Sequence, residues 1–230
     1  MNTYLIIGDG KLANHLKHYF ELSKINYDSW NRSSDNTNSL QHKIKDNDFA
    51  LLCVSDTAIT DFVEKYKTQC QLIHFSGCLE VDGATGFHPL MTFSDQQYTL
   101  GTYKKIAFVG TVEKSDFQTA LPFLENPYFS ISKKDKKHYH ALCTLAAGGT
   151  TLLWDLFKSE LQKMSIPSNA WSPFIEQNMT NIIGNSEGRF TGPWYRDDID
   201  TTEKHLANFY QTPLEDIYRD FYELSRLRSH

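Results

Sequence analysis

The chain has 230 residues, which allows one large domain or two modest ones. Its 40% hydrophobic and 22% charged residues imply a packed core and exclude a disordered chain. A net charge of -5 gives no support for a nucleic-acid partner, and no apolar run approaches the ~18 residues of a membrane span.

The opening MNTYLIIGDG lacks the basic region and small-residue cleavage site of a signal peptide, so a cytoplasmic protein is expected. Tyr4 to Ile7 reads as a buried strand and leads into Gly8-Asp9-Gly10. Leu12, Leu16, Tyr19 and Phe20 then recur at helical spacing. Asn26 to Trp30 predicts a second short strand, and the polar Asn31 to Asn38 a loop. Asp48 to Val54 is a continuous apolar run, the pattern of a strand covered on both faces. Asp56 to Tyr66 follows as a helix with Ile59, Phe62, Val63 and Tyr66 on one side, capped by Asp56 or Thr57. Gln71 to Phe75 and Ile106 to Val109 predict further strands, and Ser115 to Leu124 a helix.

Strands alternating with helices indicate α/β architecture: a doubly wound, mostly parallel sheet of Rossmann type. The alternation stops near residue 130. Lys133 to Met164 is rich in helix formers apart from Gly148-Gly149, and Ser172 to Ile183 and Thr212 to Arg228 also read as helices. A dinucleotide-binding domain over residues 1–130 and an all-helical domain over 131–230 are expected. Cys53, Cys70, Cys78 and Cys143 form no CxxC pair, so four reduced thiols are expected and no metal site is.

Gly8-x-Gly10-x-x-Ala13 follows a strand and opens a helix, the context that a dinucleotide fingerprint requires. The first glycine makes the tight turn, the second lets the pyrophosphate approach, and a small third residue lets helix and strand pack. The helix N–H groups then receive the phosphate charge, which makes Gly8, Asp9, Gly10, Lys11 and Leu12 cofactor-binding candidates.

NAD-type sites place an acidic residue at the end of the second strand. This chain has Asn31, Arg32 and Ser33 there, followed by Ser34. A guanidinium with hydroxyls suits a 2′-phosphate, so NADP(H) is the expected cofactor; a merely solvated Arg32 is the other reading. Val54, Ser55 and Asp56 end the strand that should pass the nicotinamide, although Asp56 also fits a plain helix cap. Ser76, in His74-Phe75-Ser76-Gly77, joins the cofactor candidates.

Gly86-Phe87-His88-Pro89 lies on the same side of the sheet, and His88 is a candidate acid/base because imidazole exchanges protons near neutral pH. No GxSxG elbow supports a serine hydrolase. Thr191-Gly192-Pro193-Trp194-Tyr195-Arg196-Asp197-Asp198 forms a turn before a helix that starts near Thr201. Arg196 either anchors an anionic substrate or belongs to a network with Asp197 and Asp198.

On these segments, and on HYHALCTLAAGG (138–149), the chain resembles a bacterial family over nearly its whole length. Its members pair a Rossmann-like NAD(P)-binding domain with a helical C-terminal domain of unknown function. That family is similar to pyrroline-carboxylate reductases, ketopantoate reductases and β-hydroxyacid dehydrogenases. The resemblance implies hydride transfer between NADP(H) and a small carbonyl, imine or hydroxy-acid substrate. It also implies a homodimer formed through the C-terminal helices. In the oxidoreductase reading, His88 or His140 is the expected acid/base or orienting group and Arg196 the expected anchor. Two departures stand out. Gly148-Gly149 occupies the place of a polar residue in related sequences, and Ser55 that of a proline. Lys133, Lys134, Lys136 and Lys137 read as a solvated helix start and offer no substitute. A non-catalytic NADP(H)-binding or sensor protein on the same fold is the alternative.

Overall fold

A computed structural model describes residues 2–184 and 191–227. The chain divides into two compact units, Met1–Leu153 and Trp154–His230.

The first unit opens with β1 (Tyr4–Ile7), α1 (Lys11–Leu22), β2 (Asp28–Trp30), α2 (Thr37–Asp46), β3 (Phe49–Leu52) and α3 (Asp56–Tyr66). It continues with β4 (Gln71–His74), β5 (Ala84–Pro89), α4 (Leu100–Lys105), β6 (Phe108–Gly110), α5 (Lys114–Ala120) and β7 (Tyr128–Ser130). One seven-stranded sheet results, in the order β2-β1-β3-β4-β5-β6-β7. Neighbouring strands run parallel except β5 and β6, which are antiparallel. This is the doubly wound, Rossmann-type sheet expected from the alternation of apolar runs and amphipathic stretches.

β1 and β3 are buried at all four positions, so they read as unbroken apolar runs. Successive residues of a strand face opposite sides. Tyr4, Ile6, Phe49 and Leu51 therefore meet α1 through Leu16, Tyr19 and Phe20, while Leu5, Ile7, Ala50 and Leu52 meet Leu40, Ile44, Ile59 and Val63 of α2 and α3.

Several elements differ from the sequence reading. α2 begins inside the expected loop, because the Asn36 side chain accepts from Ser39 N at 2.8 Å and caps it. β5, α4 and β7 carry no clear periodicity and arise from pairing and packing across the fold. α5 ends at Ala120 rather than Leu124, yet Leu121 and Leu124 remain in the core.

The expected Lys133 to Met164 helix starts at α6 (Lys136–Thr144), passes through a π-helical turn over Leu145–Gly149 and continues as α7 (Thr150–Lys163). The strands end at Ser130, whereas the compact unit runs to Leu153. The two limits differ because α6 is pinned to the sheet through Lys136, described below.

The second unit holds α8 (Ser168–Ile183), α9 (Ile199–Asn208) and α10 (Pro213–Arg226); Arg228, at the end of the expected last helix, lies outside the described residues. α9 starts at Ile199, earlier than expected, because the Asp198 carboxylate accepts from Thr201 N at 3.1 Å. Trp194 packs against Tyr218, ring centroids 4.7 Å apart, and closes the preceding turn onto α10. Among the described residues, α7, α8 and α10 bury no side chain. No helix among the described residues is long and apolar enough to cross a membrane.

Candidate functional site

The glycine turn sits where strand order reverses, between β1 and β3, with β2 on the far side of β1. Ligands of open α/β sheets bind at this switch point. Gly8 has φ +127°, and a Cβ there would lie 2.3 Å from the Cys53 carbonyl oxygen, so only glycine fits. Its N–H donates to Trp30 O at 2.9 Å and ties the turn to β2. At Gly10 the situation is opposite, since a Cβ would meet nothing within 4 Å. Open space therefore faces the start of α1, which has no side-chain cap and no acidic residue in its first turn. Unsatisfied N–H groups beside that space fit a phosphate. Ala13 is fully buried and keeps the helix close to the sheet. Asp9 faces Lys17 at 3.4 Å, and Lys11 faces Asp95 at 3.6 Å. Leu12 lines the cavity that opens beyond the turn.

After β2, the Asn31 side-chain oxygen accepts from Ser33 N at 3.0 Å and Ser34 N at 3.1 Å. Asp35 accepts from Asn31 N at 3.1 Å. Asn31 is thus the residue that folds this loop, with its amide oxygen engaged by the loop itself. Arg32 and Ser33 are exposed on it.

At the end of β3, Ser55 occupies the cap position of α3 and Asp56 is the first helical residue, which corrects the expected Asp56 or Thr57 cap. The Asp56 carboxylate instead accepts from Ser76 Oγ at 2.8 Å. Ser76 Oγ also accepts from Leu79 N at 2.9 Å and Cys78 N at 3.2 Å. Its hydroxyl is committed to shaping the β4 exit, so Ser76 contributes to the wall of the cavity more than to ligand hydrogen bonding.

These strand ends enclose a cavity of about 180 Å³ lined by Leu12, Val54, Asp56, Gly77, His88 and His140, among others. β5 carries His88 and α6 carries His140, whose rings meet edge to face with centroids 5.4 Å apart. Gly77 makes this possible: a Cβ there would lie 2.3 Å from His140 Cδ2 and 2.9 Å from His88 Cδ2. His88 Nδ1 lies 2.9 Å from the Tyr139 hydroxyl. Burial, together with the neighbouring His140 and Lys136, pushes the His88 imidazole down to about 4, so it is neutral at physiological pH.

Lys136 corrects the sequence reading most sharply. It is 1% exposed rather than solvated, donating to Leu79 O at 2.6 Å and to the Glu80 carboxylate. Glu80 also accepts from Thr111 Oγ1 at 3.1 Å. Burial raises the Glu80 carboxyl, but the hydrogen bond and charge of Lys136 outweigh it and leave it below its usual range. Gly86 leaves room for this pair and for His74, since a Cβ there would lie 2.8 Å from Lys136 Nζ and 2.7 Å from His74 Cε1.

The fold thus brings Leu12, Val54, Asp56, Ser76, His88 and His140 together, while Arg196 belongs to the second unit, exposed in the turn before α9. Sequence reasoning missed Gly77, Tyr139, Lys136 and Glu80. Gly77 and Tyr139 lay within segments already singled out around Ser76 and His140, whereas no local signal marked Lys136 or Glu80. Among the described residues no group of three or more His, Cys, Asp or Glu side chains is placed to hold a metal.

The reversed strand order, the glycine turn and the cavity beyond it define a Rossmann-type chain with a helical region after its sheet. Residues 113–224 match the family model described as "Domain of unknown function (DUF2520)". The match takes in α5, β7 and most of the helical region that follows them. Three solved structures are similar to it. A Bacteroides fragilis protein, named provisionally as an NADP oxidoreductase, is 19% identical, with TM-score 0.74 over 99% of this chain and 98% of that one. A 1-pyrroline-5-carboxylate reductase from Streptococcus pyogenes is 14% identical, with TM-score 0.61 over 99% and 98%. A Plasmodium falciparum pyrroline carboxylate reductase with NADP bound is 13% identical, with TM-score 0.55 over the whole of both chains. At these identities the likeness is one of fold. No curated protein matches the chain.

Proposed function

We propose that the protein is an NADP(H)-dependent oxidoreductase acting on a small carbonyl, imine or hydroxy-acid substrate. The observation that carries this reading is the continuity of two features at the switch point. Uncapped N–H groups of α1 face open space at Gly10, and Leu12, two residues further on, lines the cavity that holds His88 and His140. A dinucleotide laid along this path would place its phosphates at the helix start and its nicotinamide at the strand ends.

The backbone of Gly8 to Leu12 receives the pyrophosphate, and Arg32 with Ser33 receives the 2′-phosphate. The bound nicotinamide supplies or accepts the hydride. His88 and His140 orient the reacting oxygen or nitrogen, and Asp56, held by Ser76, borders the same cavity. A second copy of the chain is proposed to cover the helical unit, because α7, α8 and α10 bury no side chain among the described residues. The DUF2520 match and the shared fold of named reductases support the reading without fixing the substrate.

Fluorescence titration with NADPH and NADH, followed by NADPH oxidation against small ketones, aldehydes and cyclic imines, tests it. Tight NADPH binding with turnover is the expected result; absence of binding by either cofactor overturns it. The second reading, a non-catalytic NADP(H) binder, is favoured by Gly148-Gly149, since among the described residues a Cβ at Gly148 would meet nothing within 4 Å. Binding without turnover across the panel is its signature.

A further inference from the structure

We propose that Tyr139 is a positioning residue: it donates to His88 Nδ1 and fixes His88 as the Nε2–H tautomer, a neutral hydrogen-bond donor toward a substrate lone pair such as that of a carbonyl oxygen. The proposal rests on the reading of this cavity as the substrate site.

The geometry gives the pair its direction. Tyr139 Oη lies 2.9 Å from His88 Nδ1, and the rings meet nearly perpendicular, with centroids 5.6 Å apart. The Cys143 thiol, one helical turn further on, is another polar group that acts on the Tyr139 hydroxyl. Two proton arrangements follow. Either Tyr139 donates to His88 while the thiol donates to Tyr139, or His88 donates to Tyr139 while Tyr139 donates to sulfur. Imidazole nitrogen is a good acceptor and thiol sulfur a weak one, so the phenolic proton belongs on the His88 side.

A neutral imidazole that accepts at Nδ1 carries its proton at Nε2. His88 is neutral because burial and the flanking His140 and Lys136 oppose a further positive charge. The ring edge away from Nδ1, at Cδ2, lies over Gly77, which lines the cavity together with His88. Nδ1 is therefore spent on the protein, and Nε2 is the nitrogen left for a ligand. The anchoring of α6 by Lys136, one turn before Tyr139 and His140, keeps both side chains against β5.

The test is an NMR measurement on the full-length protein with ¹⁵N-labelled histidine, in which two-bond ¹H–¹⁵N correlations report the tautomer of each ring. The His88 signal is assigned by its loss in His88→Asn. Wild type is expected to show His88 as a single Nε2–H tautomer. Tyr139→Phe, which keeps the ring, is expected to shift His88 toward a mixture while NADPH affinity stays unchanged. An Nδ1–H tautomer in wild type, or an identical His88 pattern in Tyr139→Phe, overturns the proposal. The wild-type spectrum decides even where the variant fails to fold. Failure of the cofactor reading registers separately, as no NADPH binding by wild type with the tautomer still measured.

Discussion

Lys136 and Glu80 form an ion pair that is buried at one end only: the lysine side chain is 2% exposed and the glutamate side chain 34%. The pair joins the first turn of α6 to the segment after β4, across 56 residues of sequence. Its asymmetry makes removal of the two partners unequal. Glu80→Ala strands a buried ammonium and should cost ~3 kcal/mol of unfolding free energy. Lys136→Met leaves a carboxylate that water can reach and a side chain that fills the same space, so ~1 kcal/mol is expected. Urea unfolding of both variants measures the difference, and equal losses would contradict the one-sided burial.

Gly8 and Gly10 predict opposite outcomes for the same substitution. Gly8→Ala forces a Cβ against the Cys53 carbonyl at a positive φ and should lose more than ~2 kcal/mol of stability. Gly10→Ala meets no protein atom, so stability should stay within ~1 kcal/mol of wild type. The added methyl instead occupies the space proposed for the pyrophosphate, and NADPH affinity should fall at least ~10-fold, or 1.4 kcal/mol. Unchanged affinity in a folded Gly10→Ala protein would remove the phosphate from this turn.

Legibility in the sequence followed how local the cause of each feature is. β1, β3, α1 and α3 were readable because full burial writes an unbroken apolar run and one-sided burial writes a helical period. β5 was not, since Ala84–Pro89 mixes Gly86, His88 and Pro89 and becomes a strand by pairing with β4 and β6. Lys136 sits among Lys133, Lys134 and Lys137, all exposed, and nothing local marks it as the one that faces Glu80. His88 and His140 were both candidates, but their meeting over Gly77 depends on where α6 docks. Tyr139, between two histidines, offered no pattern of its own.

Arg32 carries the cofactor preference. It is exposed on a loop whose shape is set by Asn31 and Asp35, so Arg32→Ala leaves the loop hydrogen bonds intact. Loss of charge-assisted bonds to a 2′-phosphate should weaken NADPH by ~10- to 100-fold. NADH affinity should be unaffected, because NADH has no phosphate at that position. Equal weakening of both cofactors, measured by the same titration, would assign Arg32 another role.

Acid should destabilise the protein through two histidines. Burial, then the charge of Lys136, pushes His74 down to about 4, and burial with His140 and Lys136 does the same to His88, from an ordinary value of 6.5. Above pH 6.5 the folded and unfolded chains bind the same protons at these sites, so neither ring contributes to the slope there. Between 6.5 and about 4 the unfolded chain binds more protons, so unfolding free energy falls as pH falls. The full displacement corresponds to at most ~3 kcal/mol per ring. Below pH 4 the contribution of these two rings levels off. Urea midpoints measured from pH 7 to pH 4 should therefore decline, and His88→Asn should decline less steeply than wild type. The same slope in both proteins would mean that the folded chain protonates His88 at its ordinary pH, and that burial, His140 and Lys136 do not hold its imidazole down.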